Sequence, residues 1–172
     1  MIEKIKGKKY LINGGLGMIG STIATILVKA GAEVTIVDAM IKPYGANLFN
    51  IEKIKDQVKI RTFDIKSIEE MKKEVENKDV ILNLAGQIAH NDSIINPLYD
   101  AKLNYLYQLN VMECIKQVNP NAKVIFSGSR LQFGKIENIP VDENHLLFPE
   151  TPYALHKQTT ENMYQFYNRQ YD

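Results

Sequence analysis

The sequence predicts an α/β fold in which helices cover both faces of a doubly wound parallel sheet. Short apolar runs alternate with longer amphipathic stretches along the chain, and a glycine-rich turn separates the first such run from the first helical pattern. No composition shift or Pro/Gly/Ser linker interrupts the 172 residues, so we expect one domain. Strands that alternate with helices of this length form βαβ units, whose right-handed crossovers build a doubly wound sheet.

Five apolar segments have the composition of strands. Each is short, rich in β-branched or aromatic residues, and followed by a turn or a helical pattern. They are Tyr10–Asn13, Glu33–Asp38, Val58–Phe63, Asp79–Leu84 and Lys123–Phe126. In Val58–Phe63 apolar and polar residues alternate, which predicts a strand nearer an edge of the sheet.

Four segments with helical periodicity lie between and after these strands. Ile19–Ala30 is followed by Gly31, a residue typical of helix C-caps. Ser67–Glu76 begins with a serine as N-cap and has a glutamate three residues further on, which is the spacing of a capping box. Pro97–Val118 has a long helical pattern, and Thr151–Pro152 opens a last helix with threonine as N-cap and proline at the first helical position.

Composition argues against several classes of protein. Lys plus Arg is 21 and Asp plus Glu is 20, so a net charge of +1 gives no electrostatic case for nucleic acid or an anionic membrane as partner. A hydrophobic content of 45% supports one sizeable core rather than a disordered chain. No apolar run approaches the ~20 residues of a membrane span, and the N-terminus lacks a signal-peptide core. Because the single cysteine, Cys114, has no internal partner, we expect a soluble cytoplasmic protein.

Neither metal nor hydrolase chemistry is indicated by the sequence. The histidines His90, His145 and His156 and the one cysteine show no metal-ligand spacing, so we expect no metal site. The sequence contains no G-x-S-x-G elbow, which argues against an α/β-hydrolase.

The turn between the first strand and the first helix has the spacing of a dinucleotide-phosphate site. Asn13–Gly20 reads N-G-G-L-G-M-I-G, which fits G-x-G-x-x-G from Gly15 and G-x-x-G-x-x-G from Gly14. Either pattern gives a tight turn, brings the backbone close to a pyrophosphate and aims amide donors at it. The residues predicted to bind the phosphates are Gly14, Gly17, Met18, Ile19 and Gly20.

Asp38 ends the second strand about twenty residues beyond this turn. A carboxylate here accepts hydrogen bonds from both hydroxyls of the adenosine ribose and repels a 2′-phosphate, which favours NAD over NADP. The alternative is ordinary turn chemistry at a strand end. Lys42 lies beyond the position that discriminates between the two cofactors. Asp64 ends the third strand, and we expect Asp64 and Ile65 to flank the adenine.

A tyrosine and a lysine follow the fifth strand at helical spacing. Tyr153 and Lys157 lie one turn apart on one helix face, in and just after the first turn. A phenol is a poor base at neutral pH, but a nearby ammonium and a helix N-terminus both stabilise the phenolate. With nine tyrosines in the chain, about one Y-x-x-x-K arises by chance, so the order of the motifs matters. The pair follows Ser127–Ser129, which end the fifth strand where ligands of open α/β sheets bind.

Together these motifs resemble the extended short-chain dehydrogenase/reductase family, and within it the NAD-dependent nucleotide-sugar epimerases and dehydratases. The likeness covers essentially the whole chain. Its segments resemble the family's T-G-G-x-G-x-I-G at Asn13–Gly20, the cofactor wall at Asn83–Gly86, the asparagine of the long helix at Asn104, S-S-S-x-x-x-Y-G at Phe126–Gly134 and P-Y-x-x-x-K at Pro152–Lys157. The departures are Asn13, Gly128 and Phe133, and none of them removes a catalytic group.

The resemblance implies a role for each catalytic residue. Tyr153 is the general base and acid, Lys157 binds the nicotinamide ribose and tunes Tyr153, and Ser129 hydrogen-bonds the reacting sugar oxygen. NAD is the implied cofactor. Besides the phosphate-binding turn, its implied contacts are Asp38, Asp64, Ile65, Leu84, Ala85, Gly86, Ser127, Tyr153 and Lys157.

One departure favours an epimerase over a dehydratase. In the family's dehydratases the active hydroxyl is followed by Asp-Glu, which eliminates water, whereas Ser129 is followed by Arg130–Leu131. Epimerisation needs no such pair, because oxidation and re-reduction occur at one carbon. The alternatives are a nucleotide-sugar reductase or dehydratase of the same family and a non-catalytic dinucleotide-binding module.

The resemblance also bears on domains and assembly. Family members continue through a sixth strand and a small C-terminal domain that holds the nucleotide-sugar, so residues 1–172 are expected to form the NAD-binding domain without that substrate domain. A homodimer is implied through a four-helix bundle of helices 97–118 and 151–171. Their aromatics, which are of the type enriched at interfaces, are Tyr105, Tyr107, Tyr164 and Phe166. The alternative is that these aromatics cover the sheet.

Overall fold

A computed structural model describes residues 2–171 and contains a five-stranded parallel sheet. Its strands are β1 (Lys9–Asn13), β2 (Glu33–Asp38), β3 (Val58–Thr62), β4 (Val80–Asn83) and β5 (Lys123–Phe126). Their order is β3-β2-β1-β4-β5, and every neighbouring pair is parallel. The strand order therefore reverses between β1 and β4, which is the switch point at which doubly wound sheets bind ligands. The predicted fold class is confirmed.

Helices connect the strands on both sides of the sheet. The α-helices of the described chain are α1 (Met18–Lys29), α2 (Ile68–Val75), α3 (His90–Ile95), α4 (Pro97–Ala101), α5 (Tyr107–Val118) and α6 (Pro152–Tyr171). A π-helical segment, Lys102–Leu106, joins α4 to α5, so the predicted helix 97–118 is continuous but contains a bulge. Two 3₁₀ segments, Leu48–Gln57 and Arg130–Phe133, follow β2 and β5.

Two hydrophobic clusters fill the space between the sheet and the helices. One cluster packs the inner faces of α2, α5 and α6 against residues such as Leu11 and Ile81 of the sheet. The other packs α1 and the first 3₁₀ segment against Ile12 and Ile36. Both clusters draw on alternate residues of the same strands, as expected for a sheet that is buried on both faces.

The predicted boundaries of the strands and helices are close to the observed ones, but one predicted helix cap is not formed. β3 lies at an edge of the sheet, as its alternating pattern predicts. Ser67 is the N-cap of α2, but its side chain makes no capping hydrogen bond, so the predicted capping box is wrong. Asp64 stabilises this turn instead, because its carboxylate accepts from the amide of Lys66 at 3.1 Å and its carbonyl from the amide of Ser67 at 2.9 Å.

No helix within residues 2–171 combines the length and the apolar character needed to cross a membrane.

Candidate active site

A cleft of about 370 Å³ opens at the carboxyl ends of the strands. Every residue predicted to bind the cofactor lines it, and each comes from the turn that follows a strand or from the start of α6. The turn after β1 contributes the phosphate-binding set, β2 contributes Asp38, and the segment after β3 contributes Asp64 and Ile65. The other lining residues from the prediction are Leu84, Ala85, Gly86, Ser127, Tyr153 and Lys157. The structure thus brings the whole predicted cofactor set together at one edge of the sheet.

The glycines of the first turn differ in the atoms that a side chain at each position would meet. Gly14 has a φ of +77°, and a Cβ on it would lie 2.8 Å from the amide nitrogen of Ala85. A Cβ on Gly20 would collide with the carbonyl of Gly14. Gly15 does not line the cleft but packs beneath it, where a Cβ would lie 2.6 Å from Ile36 Cγ2. The pattern that faces the cleft is therefore the one that begins at Gly14.

The N-terminus of α1 points into the same cleft. Gly17 is the N-cap and offers no side-chain capping group, and the first turn of the helix contains no acidic residue. The unpaired amides and the positive end of the helix dipole therefore remain available to an anion. This arrangement fits the pyrophosphate of a dinucleotide.

Asp38 has two hydrogen bonds that the sequence did not predict. Its Oδ2 accepts from the amide of Leu16 at 3.0 Å, and its Oδ1 accepts from the amide of Met40 at 2.9 Å. The carbonyl of Leu16 in turn accepts from the side chain of Asn50 at 2.7 Å. Asp38 therefore fixes the glycine turn as well as facing the cleft.

Tyr153 and Lys157 lie on one face of α6, as their spacing predicts. Their side chains are buried, with exposures of 9% and 6%. Ser129 is not part of the cleft wall, but its hydroxyl lies close enough to the phenol of Tyr153 to lower the pKa of that phenol. Tyr153 and Lys157 therefore line the cleft, and Ser129, which comes from a separate element, lies next to Tyr153.

Burial dominates the protonation of this pair. It raises the pKa of Tyr153, an effect that the nearby Ser129 hydroxyl opposes and the charge of Asp100 reinforces. Burial lowers the pKa of Lys157 to about 8, while the negative charges of Asp100 and Glu161 act in the opposite direction. The ammonium of Lys157 lies 4.2 Å from the centre of the Phe126 ring, a cation–π contact that stabilises its charged form.

Helix α3, which the sequence analysis did not predict, positions the start of α6. The hydroxyl of Ser93 accepts a hydrogen bond from the backbone amide of Tyr153 at 3.1 Å and donates to the carbonyl of His90 at 2.6 Å. The N-cap residue Thr151 accepts from the amide of Ala154 at 3.2 Å. Two amides of the first turn of α6 are thus satisfied by side chains, which fixes the position of Tyr153.

A second network fixes Ser129. The buried side chain of Gln132 accepts from the amide of Ser129 at 2.7 Å and donates to Glu161 on α6 at 2.7 Å. A Cβ on Gly128 would lie 3.0 Å from Gln132 Oε1 and 3.2 Å from Glu161 Oε2. The glycine that departs from the family's S-S-S therefore leaves room for this glutamine and glutamate.

Among the further residues that line the cleft, the two with polar side chains were not singled out from the sequence. Tyr44 comes from the loop after β2, and Gln87 follows the wall formed by residues 84–86. The irregular loop has no periodicity that could have placed Tyr44. Gln87 directly follows Gly86, and extending the wall by one residue would have found it. Within residues 2–171 no group of three or more His, Cys, Asp or Glu side chains is arranged to hold a metal ion.

The switch-point cleft, the glycine turn and the helix N-terminus are the features of the class of doubly wound, Rossmann-like α/β domains. Residues 11–172 match the family model described as GDP-mannose 4,6 dehydratase. The chain therefore belongs to this family of extended short-chain dehydrogenase/reductases, which includes nucleotide-sugar epimerases and dehydratases.

Comparison with individual proteins gives the same family. One relative is a Methanocaldococcus jannaschii protein whose name gives UDP-glucose 4-epimerase as an unproven activity. The two sequences are 31% identical over 163 residues, a match that covers 94% of this chain and 51% of that protein. A UDP-N-acetylglucosamine 4-epimerase of Methanobrevibacter ruminantium, solved with UDP-N-acetylmuramic acid, superposes with a TM-score of 0.88 at 28% identity, covering 96% of this chain and 52% of that one.

A UDP-glucose 4-epimerase of Brucella ovis, solved in complex with NAD, shares the fold. Its TM-score is 0.84 at 21% identity, and the match covers 96% of this chain and 49% of that one. The chain thus spans about half the length of the relatives it matches.

Proposed function

We propose that these residues form the cofactor-binding and catalytic half of an NAD-dependent nucleotide-sugar epimerase. The observation that carries the proposal is the cleft wall in which Tyr153, with Ser129 next to it, lies one helical turn from Lys157. The segment that follows Ser129, Arg130–Leu131, holds no carboxylate to eliminate water, which favours an epimerase over a dehydratase. The epimerase names of two relatives more than 25% identical support the same choice.

NAD is the cofactor that the lining residues fit. The glycine turn and the N-terminus of α1 would hold its pyrophosphate, Asp38 the adenosine ribose, and Asp64 with Ile65 the adenine. The close approach of Gly14 to Ala85 and the exclusion of a Cβ at Gly20 leave backbone, not side chains, at the phosphate position. NAD bound here would supply a reversible hydride acceptor.

The side chains of this chain handle the proton. Tyr153 removes the proton of the reacting sugar hydroxyl and later returns it, and Ser129 hydrogen-bonds the same oxygen. Because burial raises the pKa of Tyr153, the phenolate needs a nearby cation, and Lys157 on the same helix face supplies it. Lys157, with a pKa lowered to about 8, is still largely protonated at pH 7.

Tyr153→Phe is the test of the catalytic role. In a chain extended to the length of the relatives, we expect turnover to fall by about 10²–10⁴-fold, the usual contribution of general acid–base catalysis, while NAD affinity is kept. The measurement is epimer interconversion with a nucleotide-sugar together with NAD titration. Tyr171→Phe, on the exposed end of the same helix, is the matched control and should leave both unchanged.

The same experiment separates the alternatives. A non-catalytic dinucleotide-binding module predicts that Tyr153→Phe changes no activity at all. A reductase predicts steady consumption or production of NADH with a nucleotide-sugar, whereas an epimerase leaves NAD unchanged over a cycle. Mass spectrometry of the purified protein for carried-over NAD tests the cofactor directly.

For the cofactor preference, we expect Asp38→Ala to weaken NAD binding and to reduce the ratio of the affinity for NAD to the affinity for NADP. A hydrogen bond to a charged group is worth about 1.5–3 kcal/mol, so the loss should be roughly ten- to a hundredfold. Because Ala also frees the amides of Leu16 and Met40, Asp38→Asn is measured beside it to keep one acceptor oxygen. Asp56→Ala, an exposed aspartate away from the cleft, is the control. Unchanged affinity for both cofactors would exclude Asp38 from the ribose site.

We also propose a homodimer through the two long helices. Tyr105, Tyr107 and Tyr164 pack against the core, so they support the alternative in which aromatics cover the sheet. The proposal therefore rests on apolar residues that these helices expose, among them Leu106, Leu155 and Phe166. Sedimentation at tens of micromolar, the range of ordinary weak interfaces, measures the oligomeric state, and a monomer at that concentration would contradict the homodimer.

The single cysteine is buried, and we propose a cytoplasmic location.

A further inference from the structure

A buried carboxylate that the proposed mechanism does not use is hydrogen-bonded to His156, a residue of the helix that holds the catalytic pair. Asp100, near the end of α4, is 1% exposed. Its Oδ1 accepts from His156 Nδ1 at 3.1 Å, and its Oδ2 accepts from Asn104 Nδ2 at 2.7 Å. A buried charge without partners is strongly destabilising, so this fully paired aspartate has a built environment.

Both partners of Asp100 lead to the catalytic helix. His156 lies on α6 between Tyr153 and Lys157 in sequence, and its side chain is 20% exposed. Asn104, in the π-helical segment, also donates to the carbonyl of Gln87 at 3.1 Å. The carbonyl of Asn104 accepts from the hydroxyl of Thr160 on α6. Asp100 therefore connects α4 to α6 directly through His156, and a second connection runs through Asn104 to Thr160.

The charge of Asp100 acts on both catalytic groups. It raises the pKa of Lys157 and that of Tyr153, because a negative charge favours the ammonium and disfavours the phenolate. The other charged group that raises the pKa of Lys157 is Glu161 on α6. Around Asp100 itself, the titratable groups of the adjoining cavity are Tyr44, Asp92 and Tyr99.

We propose that Asp100 is a positioning residue that holds the start of α6 through His156 and supplies the negative charge beside Lys157. The proposal rests on the proposed function only in naming Tyr153 and Lys157 as the catalytic pair. The charge keeps Lys157 an ammonium in a site whose burial favours the neutral amine. The tether, which is the hydrogen bond between Asp100 and His156, holds Tyr153 and Lys157 in position at the cleft.

The charge is tested by titrating Lys157 without any turnover. Lysine labelled with ¹³C at Cε is followed by NMR against pH, and the Lys157 signal is assigned from its loss in Lys157→Met. From its pKa of about 8, we expect the midpoint to fall by about one pH unit in Asp100→Asn, the lower end of the effect of a nearby charge. Asp92→Asn removes a carboxylate of the same neighbouring cavity that does not shift Lys157, and it should leave the midpoint in place.

The tether is tested separately with His156→Ala, which removes the hydrogen-bond donor at a side chain that is 20% exposed. Amide hydrogen exchange of residues 154–157 should become at least several-fold faster than in the unmodified chain, while the Lys157 midpoint stays within a few tenths of a pH unit. An unmoved midpoint in Asp100→Asn, with the other lysine signals native, would overturn the charge role. Unchanged exchange in His156→Ala would overturn the tether even if Asp100→Asn does not fold. Neither readout depends on epimerase activity, so failure here is distinct from failure of the proposed function.

Discussion

A polypeptide of residues 1–172 is expected to bind NAD but to convert a nucleotide-sugar at least about a thousandfold more slowly than a chain extended to the length of its relatives. The glycine turn, Asp38, Tyr153 and Lys157 all meet in the cleft, so most cofactor contacts can form. The nucleotide of the substrate is expected to bind outside these residues. Remote binding energy of that kind orients the reacting carbon, and orientation is worth ~7–11 kcal/mol of barrier. Losing about 4 kcal/mol of it already slows turnover about a thousandfold.

The experiment compares both lengths with the same nucleotide-sugar and the same NAD concentration. Equal epimerase rates would show that residues 1–172 bind the substrate sufficiently by themselves, and the account of substrate orientation would then be wrong. Failure of both lengths to bind NAD would instead contradict the cofactor assignment. Because β5 lies at an edge of the sheet, the short form is also expected to associate through unpaired backbone groups, which light scattering measures.

Gly14→Ala is expected to destabilise the fold by about 3 kcal/mol or more and to abolish NAD binding. The left-handed backbone costs a non-glycine residue about 1–2 kcal/mol. In addition, the new Cβ would lie 2.8 Å from the backbone of Ala85, which cannot move away without shifting β4. Losses of this size are typical of steric overlap in a packed region. Denaturant unfolding gives the free energy, and NAD titration gives the binding.

Gly7→Ala is the matched control for this prediction. Gly7 has nearly the same φ, +74°, but a Cβ there would meet no atom within 4 Å. Gly7→Ala should therefore lose only the stability that a left-handed backbone costs a non-glycine residue, about 1–2 kcal/mol. An equal loss of stability in both variants would mean that the approach of the turn to Ala85 is unimportant and that the backbone conformation alone requires glycine.

The sheet was predictable because its inner strands, β1, β2 and β4, are buried on both faces and appear in the sequence as nearly continuous apolar runs. The cofactor cleft was predictable for a related reason, since parallel strands bring their carboxyl ends to one edge, and Asp38 and Asp64 stand at such ends. Helix α3 was not, because six residues that begin His90-Asn91-Asp92 have no apolar stripe of helical period. The 3₁₀ segment Leu48–Gln57 likewise depends on packing against α1 rather than on its own pattern.

What sequence reasoning missed in the site is mostly the support around each catalytic group. Ser93, Gln132 and Asp100 act by hydrogen bonds to residues far away in the chain, and no local pattern reports such pairs. The predicted capping box at Ser67 shows the converse error. The right spacing was present, but Asp64 already holds that turn.

Because of the π-helical segment at Lys102–Leu106, the number of residues in this helix affects the geometry of the site. A π turn holds one residue more than an α turn, so a single residue could be deleted there while the helix closes into regular α geometry. The deletion would rotate Asp100 and Asn104 together by roughly 100° relative to α5 and carry them away from His156 and Thr160, their partners on α6. Among homologous sequences, a one-residue gap at this segment would therefore mark proteins that kept the architecture and lost this buried connection.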